Sequence, residues 1–208
     1  EEELELTARP YAGEHLLRTL AQSGQSIVKE YPPTYTHNVS LTRDGAYYNI
    51  TRQGNGDSII EYQLPPSDST CTYYFDCFDS LQNNLNEPYY KAFSIYIDGE
   101  LVNREYPTQS LNGIFELTVR ANQSVRVTLT VHKDVSVRSF GVFSVSHDAL
   151  AQTLASMRTA QMQTGRDTVS GTATAQQDGE YLFLSLPYDK GYTAVVNGQT
   201  VPILRVFD

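Results

Sequence analysis

Between Val39 and Val145 apolar and polar side chains alternate in short runs, each closed by residues that favour turns. Phe93, Ile95 and Ile97 share one side of an extended chain, as do Val125, Val127, Leu129 and Val131, and a period of two is that of a β-strand with one face buried. The pattern predicts strands over 39–41, 47–52, 58–63, 70–78, 92–97, 100–105, 113–119, 124–133 and 135–144. Between them lie Gly54-Asn55-Gly56, Pro65-Pro66, the 83–88 loop, Asp98-Gly99 and Ala121-Asn122. Asp-Gly tolerates the positive φ angles of a type I′ hairpin turn. So many one-sided apolar faces need a cover, and a second sheet is the economical one. The expected fold is mainly β: a jelly-roll-like antiparallel β-sandwich over 36–146.

Two stretches change period. From Pro10 to Ser23, Tyr11, Leu16, Leu17, Leu20 and Ala21 fall at helical spacing, with Pro10 suited to the first turn and Gly24 to the stop. This puts a helix at about 10–23 within an N-terminal segment 1–35. A connecting helix is expected over 147–164, with Ser146 or Asp148 as cap, an interior of Ala, Leu, Met and Gln, and Gly165 as its end. Leu150, Leu154, Met157 and Met162 then form a stripe that packs on a sheet, a commoner role for such a stripe than a cofactor site.

The remainder, 165–208, reads as a second, smaller β module, expected to be incomplete at its C-terminal end. Its centre is EYLFLSLPYDKGYTAVVNGQTV, from Glu180 to Val201. Tyr181 to Leu186 is apolar on both faces, so a strand covered on both sides is expected. Thr193 to Val196 is β-prone and leads into Asn197-Gly198, another type I′ signal, after which Val201 restarts the return strand.

Within it, Pro187, Tyr188, Asp189, Lys190 and Gly191 resemble a segment of the bacterial YfhO-like integral membrane proteins, with Tyr192 where that family usually has Trp. Arg9-Pro10-Tyr11 followed by Leu16, Leu17 and Leu20 is a weaker likeness to the helix opening the family's extracytoplasmic region. The resemblance implies a many-pass membrane protein of glycosyltransferase-like architecture that decorates cell-wall polymers. This chain would be its domain on the extracytoplasmic face of the membrane, with the membrane spans elsewhere in the protein.

Composition narrows the chemistry. The 208 residues include 15 Tyr and no Trp, a bias toward β structure. A net charge of −9 argues against nucleic acid and against a general basic surface for anionic lipid. No run approaches the roughly 18–20 apolar residues of a membrane span, and Glu1-Glu2-Glu3 is not the opening of a signal peptide. As written the chain is expected to be soluble, meeting the membrane only through segments outside it.

Cys71 and Cys77 are six residues apart in CTYYFDC, so a continuous strand holds them on one face but about 20 Å apart, beyond disulfide reach. Two buried thiols are favoured over a bridge that would need the chain to reverse. His15, His37, His132 and His147 have no metal-ligand spacing, and no P-loop, G-x-S-x-G or H-E-x-x-H is present. No cofactor or metal is expected. Asp76, Asp79, Glu116 and Asp189 acquire no catalytic role from the sequence, because glycosidase carboxylates are recognised by separation in space. The sequons at Asn38, Asn49 and Asn122 receive no function.

The site expectation rests on Tyr188, Asp189, Lys190 and Tyr192. Two amphipathic rings could stack on a sugar while Asp189 and Lys190 supply polar contacts; the bland alternative is a shaped turn at one end of a sheet. The functional expectation is a non-catalytic domain that binds or orients a glycan acceptor, a cell-wall polymer or a partner, including its own transmembrane region. A free carbohydrate-binding or adhesion module is the alternative, and a secreted glycoside hydrolase a third.

Overall fold

The computed structural model describes residues 14, 17, 26–78, 89–108, 113–176 and 179–204. The chain divides into two compact units, Glu1–Arg158 and Thr159–Asp208.

The first unit is built from antiparallel sheets. A four-stranded sheet runs β1 (Val28–Tyr31), β12 (Ser139–Ser146), β6 (Cys71–Phe78), β9 (Ile114–Val119). A five-stranded sheet runs β2 (Tyr35–His37), β5 (Ile59–Leu64), β10 (Val125–Val131), β7 (Phe93–Ile97), β8 (Glu100–Tyr106). A smaller sheet joins β11 (Val135–Val137), β4 (Tyr47–Arg52) and β3 (Val39–Asp44). The chain crosses from one large sheet to the other between β5 and β6, β6 and β7, β8 and β9, and again into β10, the alternation expected of a jelly-roll-like sandwich.

The period-two pattern decides what lies between the sheets. Ile60, Tyr62 and Leu64 of β5 and Val127, Leu129 and Val131 of β10 are buried, as are Cys71, Tyr73, Phe75 and Cys77 of β6 and Phe140 and Val142 of β12. Tyr62 meets Phe75 edge-on at 6.2 Å between ring centroids, and Phe93 meets Phe140 at 5.8 Å. The Tyr106 hydroxyl crosses the core to the carbonyls of Phe75 (2.8 Å) and Gly113 (3.0 Å), which satisfies a polar tip that would be costly to bury alone. Cys71 and Cys77 are reduced and buried on one face of an unbroken strand.

Local chemistry closes the hairpins. Asp98 (φ 49°) and Gly99 (φ 91°) join β7 to β8, both in the left-handed region that a type I′ turn requires. Asp98 also accepts from the Arg126 amide at 2.9 Å, tying the turn to β10.

The expected strand over 135–144 is two strands in different sheets, β11 against β4 and β12 against β6. The break falls at Arg138, whose guanidinium lies 5.5 Å from the centre of the Tyr47 ring and bonds its hydroxyl at 3.3 Å. That contact holds the polar residue outside while Val137 and Phe140 enter the core.

A helix over His147–Ser156, here α1, follows β12 directly. Ser146 caps it, accepting from the Ala149 amide at 3.3 Å. Ala149 and Leu150 pack with Leu17, Ile27, Val28, Phe143 and Val145 as a second cluster on the outer face of the four-stranded sheet. The helix is shorter than the expected 147–164. Met157 is already extended (ψ 138°), and 161–164 is strand. Gly165 opens a turn, its amide bonding the Thr168 carbonyl at 2.7 Å, where a helix stop was expected. The predicted stripe therefore does not form: Leu150 packs, but Leu154 and Met162 are exposed.

Of the helix expected over 10–23, only Glu14 and Leu17 fall among the described residues, both helical. Glu14 is buried and its carboxylate accepts from the amides of Ile27 (2.5 Å) and Val28 (3.0 Å) and from the Ser26 hydroxyl. These bonds anchor the start of β1. Glu14→Ala is expected to cost about 2–3 kcal/mol, the range for losing charge-assisted bonds and stranding buried donors, read as a lower urea midpoint with unchanged m-value.

The second unit holds two hairpins, β13 (Gln161–Thr164) with β14 (Val169–Thr172), and β15 (Ala194–Val196) with β16 (Gln199–Val201). Asn197 (φ 51°) and Gly198 (φ 80°) form the expected turn. The strand expected over Tyr181–Leu186 is absent: these residues are irregular, and Tyr181, Leu182, Leu184 and Leu186 are exposed. A strand exists only where a neighbour accepts and donates its ladder bonds, and among the described residues none pairs with this run. The run bonds locally instead, Leu186 amide to Leu184 carbonyl at 2.8 Å.

Candidate functional site

Pro187 to Tyr192 forms a surface turn in the second unit. The Asp189 carboxylate accepts from the Gly191 amide at 2.6 Å, and the Tyr192 amide bonds the Asp189 carbonyl at 3.1 Å. Asp189 thus does the backbone work that short acidic side chains do in turns, and its Oδ1 is engaged with the chain itself. Tyr188 and Tyr192 are 45% and 54% exposed and Lys190 is exposed. All four predicted residues therefore share one turn, with the two rings presented to solvent.

The first unit has an open groove of about 300 Å³ lined in part by Lys29, Tyr31, Pro66, Asp68 and Ser144. Its one ring is already occupied. Lys29 Nζ sits 5.1 Å from the centre of Tyr31, Tyr73 leans on it at 5.4 Å, and its hydroxyl takes the Ser144 hydroxyl at 3.3 Å. A ring capped by an ammonium offers little stacking surface.

The outer face of the five-stranded sheet carries a different set. Residues opposed across antiparallel strands share a face, and the register opposes Tyr35 to Glu61, Glu61 to Thr128, Thr128 to Tyr96 and Tyr96 to Leu101. No local signal in the sequence marks these residues. Their polar alternation in β5 and β10 was visible, but an outward-facing polar row reads as an ordinary solvated face, and Tyr35 follows directly on the Pro32-Pro33 break.

Among the described residues, Asp76, Glu116 and Asp189 do not converge on a reactive centre. Asp76 is buried and takes the Ser139 hydroxyl; Glu116 lies opposite Tyr74 on β9; Asp189 is in the turn; Asp79 lies outside the described residues. His37 stacks on Tyr35, His132 bonds the Ser94 hydroxyl at 2.7 Å, His147 bonds the Thr72 hydroxyl at 2.9 Å, and His15 lies outside the described residues. Among the described residues no cluster of His, Cys, Asp or Glu could hold a metal ion, and no helix is long and apolar enough to cross a membrane.

Several solved structures are similar at low identity. A family 35 carbohydrate binding module from Clostridium thermocellum is 12% identical, with 57% of this chain and 96% of that chain covered and a TM-score of 0.35. The C-terminal CBM6 of LamC from Zobellia galactanivorans is 13% identical over 57% of this chain and 98% of that one, TM-score 0.35. CBM35 from Paenibacillus barcinonensis is 13% identical over 71% and 98%, TM-score 0.30. Likeness this distant carries no argument about what this chain binds. No curated protein matches it. The family described as bacterial membrane protein YfhO, in contrast, matches residues 5–208, nearly the whole chain, and to that family this protein belongs.

Proposed function

We propose that this chain is a non-catalytic extracytoplasmic domain of a multi-pass bacterial membrane protein, holding or orienting a glycan acceptor of the cell envelope, with bond-making carried out by membrane-embedded parts outside it. The observation that carries this reading is the turn at 187–192. It spends its carboxylate on its own backbone and leaves Tyr188 and Tyr192 with flat, half-exposed rings beside Lys190. Rings with an apolar face and a hydroxyl tip suit sugars, whose C–H faces stack while their hydroxyls need donors and acceptors. Lys190, exposed in the same turn, is a donor for them.

Equilibrium binding of the 208-residue chain to envelope polysaccharides, measured calorimetrically, tests the reading. Tyr188→Ala and Tyr192→Ala are each expected to weaken binding by about fivefold to tenfold, the scale of one lost aromatic contact of about 1 kcal/mol or slightly more. Binding unchanged in both variants would remove the turn from the site. Hydrophobic spans flanking this segment in the full gene product distinguish a membrane-anchored domain from a free binding module.

A further inference from the structure

The two large sheets dress their outer faces differently. On the four-stranded sheet the outer side chains include Val28, Phe143 and Val145, and α1 and Leu17 pack there. On the five-stranded sheet the inward residues Ile60, Tyr62, Val127, Leu129 and Ile95 are buried, so their neighbours in sequence point out. The row they make, Tyr35–Glu61–Thr128–Tyr96, is set by three successive strand pairings. Neighbouring strands lie about 4.8 Å apart, so the two tyrosines stand about 14 Å from each other across the sheet.

The row is ordered by its own contacts. Tyr35 is 51% exposed and its ring plane lies within 4° of that of His37, the centroids 6.4 Å apart. The two rings, parallel and on the same side of one edge strand, place a stacked aromatic pair at this end of the row. Thr128 donates to the Glu61 carboxylate at 3.3 Å, and Gln63 and Arg126, opposed to each other, extend the polar band beside it. Tyr96, half-buried, stands toward the far end, with the exposed Leu101 of β8 opposite it.

From this face we infer a second binding surface, independent of the turn at 187–192, for a short stretch of a neutral polysaccharide laid across β2, β5, β10 and β7. Flat rings at both ends take the C–H faces of sugar rings, and the carboxylate, amide and hydroxyls between them take sugar hydroxyls in both directions. Charge selects a neutral polymer over an acidic one. Glu61 and Arg126 cancel on the face, and the chain as a whole carries −9, so a polyanion meets no net attraction. A lipid surface would need a contiguous apolar patch, which Glu61, Gln63, Arg126 and Thr128 interrupt between Tyr35 and the Tyr96–Leu101 pair. An extended peptide would be expected at a strand edge, where free ladder groups lie.

Affinity gel electrophoresis of the 208-residue chain in a mixed-linkage β-glucan, a galactomannan and a dextran, with polygalacturonate as the acidic control, tests this. Retardation is expected in at least one neutral polymer and not in polygalacturonate. Tyr35→Ala and Glu61→Gln, both surface changes whose folding is checked by an unaltered thermal midpoint, are each expected to weaken it fivefold or more. Tyr188→Ala and Tyr192→Ala separate the two surfaces. If they alone abolish retardation, the sheet-face site is wrong and the turn stands; if Tyr35→Ala and Glu61→Gln alone abolish it, the turn is wrong and the sheet face stands. Retardation only in polygalacturonate, or in none of the four, overturns the inference.

Discussion

Phe75→Ala is expected to remove about 3–5 kcal/mol of stability, the usual cost of emptying a buried phenylalanine site. Phe75 is 1% exposed on β6 and touches Tyr62 from the facing sheet and Phe115 from the adjacent strand, at 6.2 and 5.9 Å between ring centroids. Its own carbonyl receives the buried Tyr106 hydroxyl, so a backbone shift toward the cavity would loosen that bond as well. The site cannot collapse cheaply, because strands on both sides of β6 are held in register along their length. Against a total of about 5–15 kcal/mol for a typical domain, the loss is large. Urea unfolding followed by intrinsic tyrosine signal reads it as a fall in midpoint. Leu154→Ala is the matched control: Leu154 is 48% exposed on α1, so its loss should fall within about 0.5 kcal/mol. Equal effects from the two variants would mean that the sandwich interior is not where the register places it.

Raising the pH should destabilise the first unit through its buried phenols. Burial pushes the Tyr62 hydroxyl well above its ordinary value of 10.0, with Cys77 and Glu30 adding to the shift. Tyr73 is raised by burial and then by neighbouring Tyr31. Both side chains are 1% exposed. Between pH 10 and these raised values the unfolded chain releases protons that the folded chain retains, so the folded state is favoured fully below pH 10 and progressively less above it. Each phenol that ionises only on unfolding adds a slope of about 1.4 kcal/mol per pH unit, so the pair gives about 2.7. Stability measured by urea titration from pH 8 to 11.5 should be flat at first and then fall. Tyr62→Phe should roughly halve the slope. An equal slope in that variant would show that Tyr62 is not shielded from solvent in the folded state.

Much of the sandwich is legible in the chain itself. The strand over 47–52 was placed at its observed bounds, and β5, β6, β7 and β8 within a residue or two at each end, because alternation is written residue by residue into the chain. The turns at Asp98-Gly99 and Asn197-Gly198 were equally plain, since few dipeptides accept positive φ at both positions. The site was legible only in part. Tyr188, Asp189, Lys190 and Tyr192 do share one exposed turn, and adjacency in sequence alone brings them together. Tyr35, Glu61, Thr128 and Tyr96 are spread over some 90 positions, and no local pattern reveals that pairing aligns them.

Two misreadings have the same root. Tyr181–Leu186 has the side chains of a doubly covered strand, yet strand formation is a contract with a neighbour, and apolar content does not supply one. The stretch 157–164 has good helix formers, yet Gln161–Thr164 pairs with Val169–Thr172 across the Gly165 turn. Propensity is worth only tenths of a kcal/mol per residue, less than a formed ladder can supply.

The sequence by itself determined which side of each sandwich strand would be apolar, where the tight hairpins turn, and, through the 187–192 segment, the family. Those are properties of two to six consecutive residues. The tertiary structure alone decided which strands became neighbours, and hence which outward residues were assembled into one row and which apolar run was left without a partner. Pairing is settled by the whole set of faces that must be buried at once, a condition no single stretch of chain can carry.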